Sequence, residues 1–92
     1  MCSKNTYFLL ILKKERKGFM LDSELVGDVI KELREKKGLS QEVVSGLADI
    51  GRTHLSAIER GERRPTLETL FRLAQALDMK PSEIVALIEE KM

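Results

Sequence analysis

The sequence predicts a single all-α domain preceded by a short N-terminal arm. The chain has 92 residues, which suits one domain because most domains contain about 50 to 250 residues. From residue 21 onward the apolar residues recur at helical spacing, and no segment alternates strictly as a half-buried strand does. Glycine and proline separate the apolar segments, as they do at helix ends.

The charged residues divide the chain into two parts near Met20. The whole chain carries a formal net charge of +1, which by itself does not suggest a nucleic-acid partner. Residues 1–20 contain five basic residues and one acidic residue, whereas residues 21–92 contain eleven basic and fourteen acidic residues. The two parts therefore need separate interpretations.

Residues 1–20 contain a short apolar run, residues 7–12, followed by a basic segment, residues 13–17. The run is shorter than the roughly 20 residues of a membrane-spanning helix, and its charge follows the apolar stretch, which is the reverse of a secretory signal. It could form an arm that covers an exposed patch or pairs with a second copy, or a membrane-surface anchor. We also hypothesise that translation starts at Met20, because the composition changes there, a helix start follows, and purine-only codons for residues 14–18 would resemble a ribosome-binding site.

The chain contains few residues that could catalyse a reaction or bind a metal ion. Cys2 is the single cysteine and His54 the single histidine, so neither an intrachain disulfide nor a zinc site can be built. Ser40, Ser45 and Ser56 have no histidine–acid set that would make one of them a nucleophile. We therefore expect a cytoplasmic protein that is not an enzyme and has neither metal nor cofactor.

Residues 21–92 predict five short helices. The first begins at Asp22 or Ser23 and stops at Gly38, and Ser40 caps the second, which ends near Ala48. The third spans Arg52–Arg60, Pro65-Thr66 caps the fourth, and Pro81 opens the fifth. The apolar positions expected to be buried are Leu25, Val26, Val29, Ile30, Leu33, Val43, Val44, Leu47, Leu67, Leu70, Phe71, Ala74, Leu77, Ile84, Val85, Leu87 and Ile88.

The second and third helices, joined by the turn 49–51, predict a helix-turn-helix, whose second helix can enter the major groove of DNA. At about 100° per residue, one arc of the third helix presents Arg52, Thr53, Ser56, Ala57 and Arg60. A polar arc is most often a plain solvated face. Here, however, four of the eleven cations of residues 21–92 lie within residues 52–64, and the second helix offers free backbone amides to a phosphate.

Residues 24–90 resemble the Cro/repressor-type, or XRE-type, helix-turn-helix family. The resemblance lies in residues 38–42, in Arg52-Thr53, in Leu55-Ser56, in residues 58–61, and in Pro65-Thr66 with the leucines that follow. It implies a five-helix, lambda-repressor-like fold with the third helix as recognition helix. It also implies that a dimer binds a pseudo-palindromic operator.

The resemblance also implies roles for individual residues. Base contacts are expected from Arg52, Thr53, Ser56 and Ala57. Phosphate contacts are expected from Ser40, Gln41, His54, Arg60, Arg63, Arg64 and Thr66, although His54 could also be a plain boundary residue. Arg34 and Glu59 match a structural ion pair between the first helix and the end of the third.

Four residues depart from the family pattern. Asp49 replaces glycine in the turn, where aspartate tolerates the left-handed conformation better than most residues. Ser45 replaces alanine at a close helix–helix contact, and Gly51 replaces the usual Ser/Thr cap of the third helix. Ala57 offers no hydrogen bond, so Arg52 is expected to dominate direct readout.

The sequence therefore predicts a sequence-specific transcriptional regulator that binds double-stranded DNA as a homodimer, without a membrane or a small-molecule effector. On the fifth helix, Ile84, Leu87 and Ile88 either belong to the core or are partly exposed and form a twofold dimer contact. The alternative is an antitoxin-like module that binds a protein partner as well as DNA.

Overall fold

The computed structural model describes residues 21–92, and these residues form five α-helices, which confirms the predicted all-α class. The helices are α1 (Ser23–Lys36), α2 (Gln41–Ala48), α3 (Arg52–Glu59), α4 (Leu67–Ala76) and α5 (Pro81–Glu90). The predictions for residues 1–20 lie outside the described residues. None of the described helices has the length and apolarity that crossing a bilayer requires.

Side-chain caps begin the helices where the sequence predicts them. The Ser40 hydroxyl accepts a bond from the amide of Val43 at 3.1 Å, and Thr66 caps α4 in the same way. Asp22 caps α1 through its carboxylate. Gly51 begins α3 without a side-chain hydrogen bond, as expected of glycine at a cap.

Left-handed residues end or follow four of the helices. Gly38 and Gly61 have φ angles of 69° and 79°, as predicted for the stops after α1 and α3. Asp49 and Asp78 adopt the same region at 58° and 57°. The sequence analysis anticipated Asp49 but not Asp78, which ends α4.

The core lies where the five helices meet. Its fully buried large side chains are Val29, Ile30, Val44, Leu55, Ile58, Leu73, Leu77 and Ile84. Burying a side chain of this size contributes about 1.5–3 kcal/mol. Two of them, Leu55 and Ile58, belong to α3, the predicted recognition helix. They anchor one side of α3 in the core, so its opposite side faces solvent.

The predicted burial is wrong for α2 at two positions. Val43 is 46% exposed and Leu47 is 62% exposed, whereas Val44, Ser45 and Ala48 are buried. The reason is geometric, because α2 has only two turns and packs against α3 and α4 along one narrow side. Ser45 is small enough for this close contact, as the sequence analysis expected.

The predicted burial is also wrong for Leu67 and Phe71 in α4 and for Val85 in α5. Leu67 is 71% exposed and Phe71 more than half exposed. In α5, Ile84 and Ile88 pack into the core, while Val85 points outward. Ile84 and Ile88 are therefore core residues. The alternative that these two side chains form the dimer contact is wrong, because both are buried within the domain.

Gly27 brings α1 and α3 into close contact. A Cβ atom at this position would lie 2.7 Å from the carbonyl oxygen of Glu59 and closer still to that of Ile58. Only glycine at position 27 lets α1 approach the backbone of α3 this closely. The sequence analysis did not single out Gly27, because its partner backbone is 31 residues away along the chain.

Candidate nucleic-acid interface

The turn between α2 and α3 sets the angle at which α3 leaves the fold. Asp49 is left-handed, and the amide of Ile50 donates to the Ser45 carbonyl at 3.0 Å. The Asp49 carbonyl and carboxylate each accept a long contact from Arg72 Nη1, at 3.4 Å. The turn thus survives the replacement of glycine by aspartate, as the sequence predicts.

A buried polar network braces α3 from behind. Arg34 Nε donates to Glu59 Oε2 at 2.7 Å, and Arg34 Nη2 donates to Glu59 Oε1 at 3.0 Å. This hydrogen bonding to Glu59 raises the pKa of Arg34 above its ordinary value. A third bond, from Arg34 Nη1 to the Leu39 carbonyl at 2.7 Å, reaches the segment that leads into α2. The predicted structural ion pair between Arg34 and Glu59 is confirmed.

Gln41 connects this buried network to the exposed face. Its Nε2 donates to Glu59 Oε1 at 2.9 Å. The same side chain borders a shallow notch on the surface, whose other lining residues are Arg52, Thr53 and Ser56. Three of the four residues predicted to contact bases are therefore gathered beside Gln41.

The outward face of α3 begins with Arg52 and Thr53, which are both exposed. Ser56 and His54 are partly buried at its two edges. Within residues 21–92, no carboxylate forms an ion pair with Arg52. Its guanidinium thus has its hydrogen-bonding fork available for another molecule.

The position predicted for Ala57 is wrong, because Ala57 is only 8% exposed. The chain after α3 folds back, and the amides of Glu62 and Arg63 both donate to the Ala57 carbonyl, at 2.9 and 3.3 Å. Left-handed Gly61 makes this reversal possible. Ala57 thus lies under the returning chain rather than on the exposed arc.

Arg60 lies across the last turn of α3 and is held there by Glu62. Its Nε and Nη2 donate to the two carboxylate oxygens of Glu62, each at 3.0 Å. Its Nη1 donates to the Ser56 hydroxyl. The hydrogen bond from Arg60 lowers the pKa of Glu62. Glu62 was not among the predicted site residues, because its contact with Arg60 depends on the reversal of the chain at left-handed Gly61.

The loop between α3 and α4 carries the remaining predicted phosphate contacts. Arg63 and Arg64 are exposed, and within residues 21–92 neither forms an ion pair. Thr66 is exposed, but its hydroxyl caps α4 and donates to the Thr69 hydroxyl at 3.0 Å. Ser40 is exposed at the start of α2. These residues lie on either side of α3 in sequence.

Comparison with known proteins places this architecture in a family. The model of the family described as helix-turn-helix, HTH_3, matches residues 30–84. An uncharacterised HTH-type transcriptional regulator, y4dJ, of Sinorhizobium fredii is 43% identical over 67 residues, which are 73% of this chain and 87% of that protein. The control protein C.BamHI of Bacillus amyloliquefaciens is 32% identical over 62 residues, 66% of this chain and 76% of that one.

Two solved structures have the same fold. The restriction–modification controller protein C.AhdI of Aeromonas hydrophila superposes with a TM-score of 0.67 at 38% identity, over 71% of this chain and 98% of that one. A mutant of the controller protein C.Esp1396I was solved bound to its highest affinity operator site. It superposes with a TM-score of 0.72 at 26% identity, over 79% of this chain and 96% of that one.

A two-turn helix, a left-handed turn and a braced, outward-facing third helix define a helix-turn-helix domain with the lambda-repressor-like arrangement. The chain belongs to the XRE-type helix-turn-helix family and is a DNA-binding transcriptional regulator. The predicted family and fold are confirmed.

Proposed function

We propose that this regulator binds a pseudo-palindromic operator as a homodimer, with α3 of each subunit in the major groove. The observation that carries the proposal is the outward face of α3. It presents Arg52 and Thr53 to solvent, and Arg34, Glu59 and Gln41 support it from behind. A polar surface held this firmly is suited to reading base edges.

Base contacts are assigned to Arg52, Thr53 and Ser56. A guanidinium can donate two bonds to O6 and N7 of guanine, whereas hydroxyls accept or donate and so serve several bases. Ser56 already accepts a bond from Arg60, so it keeps its own proton for a base acceptor. Ala57 is left out of the base contacts because it is buried.

Phosphate contacts are assigned to both flanks of α3. On one flank, Ser40 and Gln41 begin α2, whose first backbone amides point toward solvent and attract an anion. On the other flank are Arg63, Arg64 and Thr66, and His54 and Arg60 belong to the rim of the same surface. Contacts of this kind position a protein on DNA without reading its sequence.

The dimer surface is assigned to an apolar groove bordered by the start of α1 and by α4 and α5. Its exposed apolar members are Leu21, Leu67, Val85 and Met92. Arg64, Pro65 and Thr66 line the same groove. A second copy seated there would make a self-complementary interface and bring the two loops that carry Arg64 close to each other.

Dimerisation also suits a domain of this size. A helical domain of about 70 residues buries a small core, so an additional apolar interface adds stability. We infer that the regulator acts in the cytoplasm without cofactor or small-molecule effector. Its own concentration then controls operator occupancy through the dimerisation equilibrium.

Selection of bound sites from randomised duplex DNA tests the proposal, combined with sedimentation of the complex. We expect enrichment of two symmetric half-sites whose centres lie about 10 base pairs apart, and a complex of two chains per duplex. Enrichment of one asymmetric half-site, or of no sequence at all, would contradict the proposal.

A second candidate function, binding a protein partner such as a toxin, is supported by a different surface. Val43, Leu47 and Phe71 are exposed apolar residues on α2 and α4, outside the proposed dimer groove. Purification from the native host tests this candidate. A stoichiometric second protein that is lost with Leu47→Ser would support it, whereas purification of the homodimer alone would oppose it.

A further inference from the structure

The contact between Arg60 and Glu62 has a consequence for DNA binding that goes beyond the proposed function and rests on it. Glu62 offers two carboxylate oxygens to the Nε and Nη2 atoms of Arg60, both at 3.0 Å. A DNA phosphate offers two oxygens to an arginine fork in the same bidentate way. The carboxylate therefore occupies the position that a phosphate needs.

We propose that Glu62 competes with DNA phosphate for Arg60 and so lowers the affinity of this regulator for DNA of any sequence. Three features support the proposal. Each of the three guanidinium nitrogens already donates one hydrogen bond within the chain, because the third nitrogen, Nη1, donates to Ser56. Both side chains of the pair are more than half exposed, so a phosphate can reach them. Arg60 also belongs to the rim of the recognition surface.

Because the Arg60–Glu62 ion pair is exposed to solvent, a phosphate can take the place of the carboxylate. An exposed ion pair contributes little free energy, so displacing the carboxylate from Arg60 costs little. Arg63 and Arg64 have no such competitor within residues 21–92, so the effect is specific to Arg60 among the loop cations.

The direct test is the Glu62→Gln variant, titrated against the selected operator and against a duplex of scrambled sequence. Removal of the competing charge should raise affinity for both duplexes by about the same factor, because a phosphate contact carries no sequence information. Release of Arg60 from Glu62 adds up to one phosphate contact, which makes the slope of log affinity against log salt steeper by up to about 0.9. The gain should therefore shrink by up to about threefold between about 50 and about 200 mM salt.

Two controls isolate the mechanism. Glu32→Gln removes the same charge from another exposed ion pair, whose partner is Lys91 at 3.2 Å rather than a cation of the recognition surface. It should change affinity far less than Glu62→Gln. In an Arg60→Ala background, Glu62→Gln should have no more effect than Glu32→Gln, because the proposed gain runs through Arg60.

The outcomes separate this inference from the proposed function. If the wild-type chain binds neither duplex, the proposed function fails. If the wild-type chain binds the operator but Glu62→Gln leaves affinity and salt slope unchanged, or weakens binding, the competition is refuted. A gain confined to the operator would also overturn it, since Arg60 would then be reading a base.

Discussion

The carboxylate of Glu59, at the end of α3, is bonded at both oxygens by the guanidinium of Arg34 in α1, and both side chains are buried. The two residues are 25 positions apart, and each is the main partner of the other. Because Gln41 also donates to Glu59, one carboxylate joins α1, the start of α2 and the recognition helix. This carboxylate thus helps to hold the two helices of the motif in their relative orientation.

Arg34→Ala should destabilise the fold strongly, because it leaves the Glu59 carboxylate buried without its cation. A loss of about 3–5 kcal/mol is expected in the free energy of unfolding, measured by urea denaturation at a fixed chain concentration. Arg72→Ala is the matched control, since Arg72 pairs with Glu68 at 2.8 Å on the surface, and it should lower the free energy of unfolding much less than Arg34→Ala does. If Arg34→Ala and Arg72→Ala lowered the free energy of unfolding equally, burial would not be what makes the Arg34–Glu59 pair important for stability.

Gly27→Ala should destabilise the contact between α1 and α3. The added Cβ meets backbone carbonyls that cannot rotate away, and overpacking of this kind costs about 1–3 kcal/mol. Gly46→Ala is the control, because a Cβ at Gly46 meets nothing within 4 Å. Alanine is the better helix former by about 1 kcal/mol, so Gly46→Ala should raise the thermal midpoint while Gly27→Ala lowers it. A stabilised Gly27→Ala variant would contradict the close approach.

Arg52→Ala and Arg63→Ala should weaken DNA binding in different ways. Loss of Arg52 should cost about 1–3 kcal/mol on the selected operator and relax preference at one base pair. Loss of Arg63 should weaken operator and random DNA alike and reduce the salt slope by about 1. Competition titrations at several salt concentrations distinguish the two patterns. If Arg52→Ala bound both duplexes as the wild type does, the assignment of the reading face would fail.

Val85→Glu should dissociate the dimer, because it places a charge in the apolar groove assigned to the second copy. We expect the dimer dissociation constant to rise at least about tenfold, equivalent to about 1.4 kcal/mol, by sedimentation in the absence of DNA. Val43→Glu is a close control, since Val43 is also a helical valine with 46% exposure but lies outside the groove. Equal effects of the two substitutions, or a monomeric wild type, would exclude this interface.

Local features of the chain were enough to predict the helices and the motif. Ser40 and Thr66 cap helices, and Gly38 and Gly61 stop them, because these effects act over a few residues. The pairing of Arg34 with Glu59 was predicted from a family resemblance, not from spacing along the chain. The assignments of bases and phosphates to individual residues stay predictions.

Other features depended on neighbours that periodicity does not reveal. An apolar stripe shows which side of a helix is apolar, but the width of the neighbouring surface decides how much of that stripe is covered. For this reason Leu47, Leu67 and Phe71 are exposed although the stripe predicted burial. Ala57 is buried because the loop after α3 turns back toward it.

The sequence by itself thus determined five helices, most of their ends and the face of α3 that carries Arg52 and Thr53, since all of these follow from short-range backbone and side-chain chemistry. The tertiary structure decided three further features: the close contact of α1 with α3 at Gly27, the apolar groove around Val85 and the ion pair between Glu62 and Arg60. The first two bring together residues that are distant in the sequence, and the third depends on the left-handed turn at Gly61, so spacing along the chain did not reveal them.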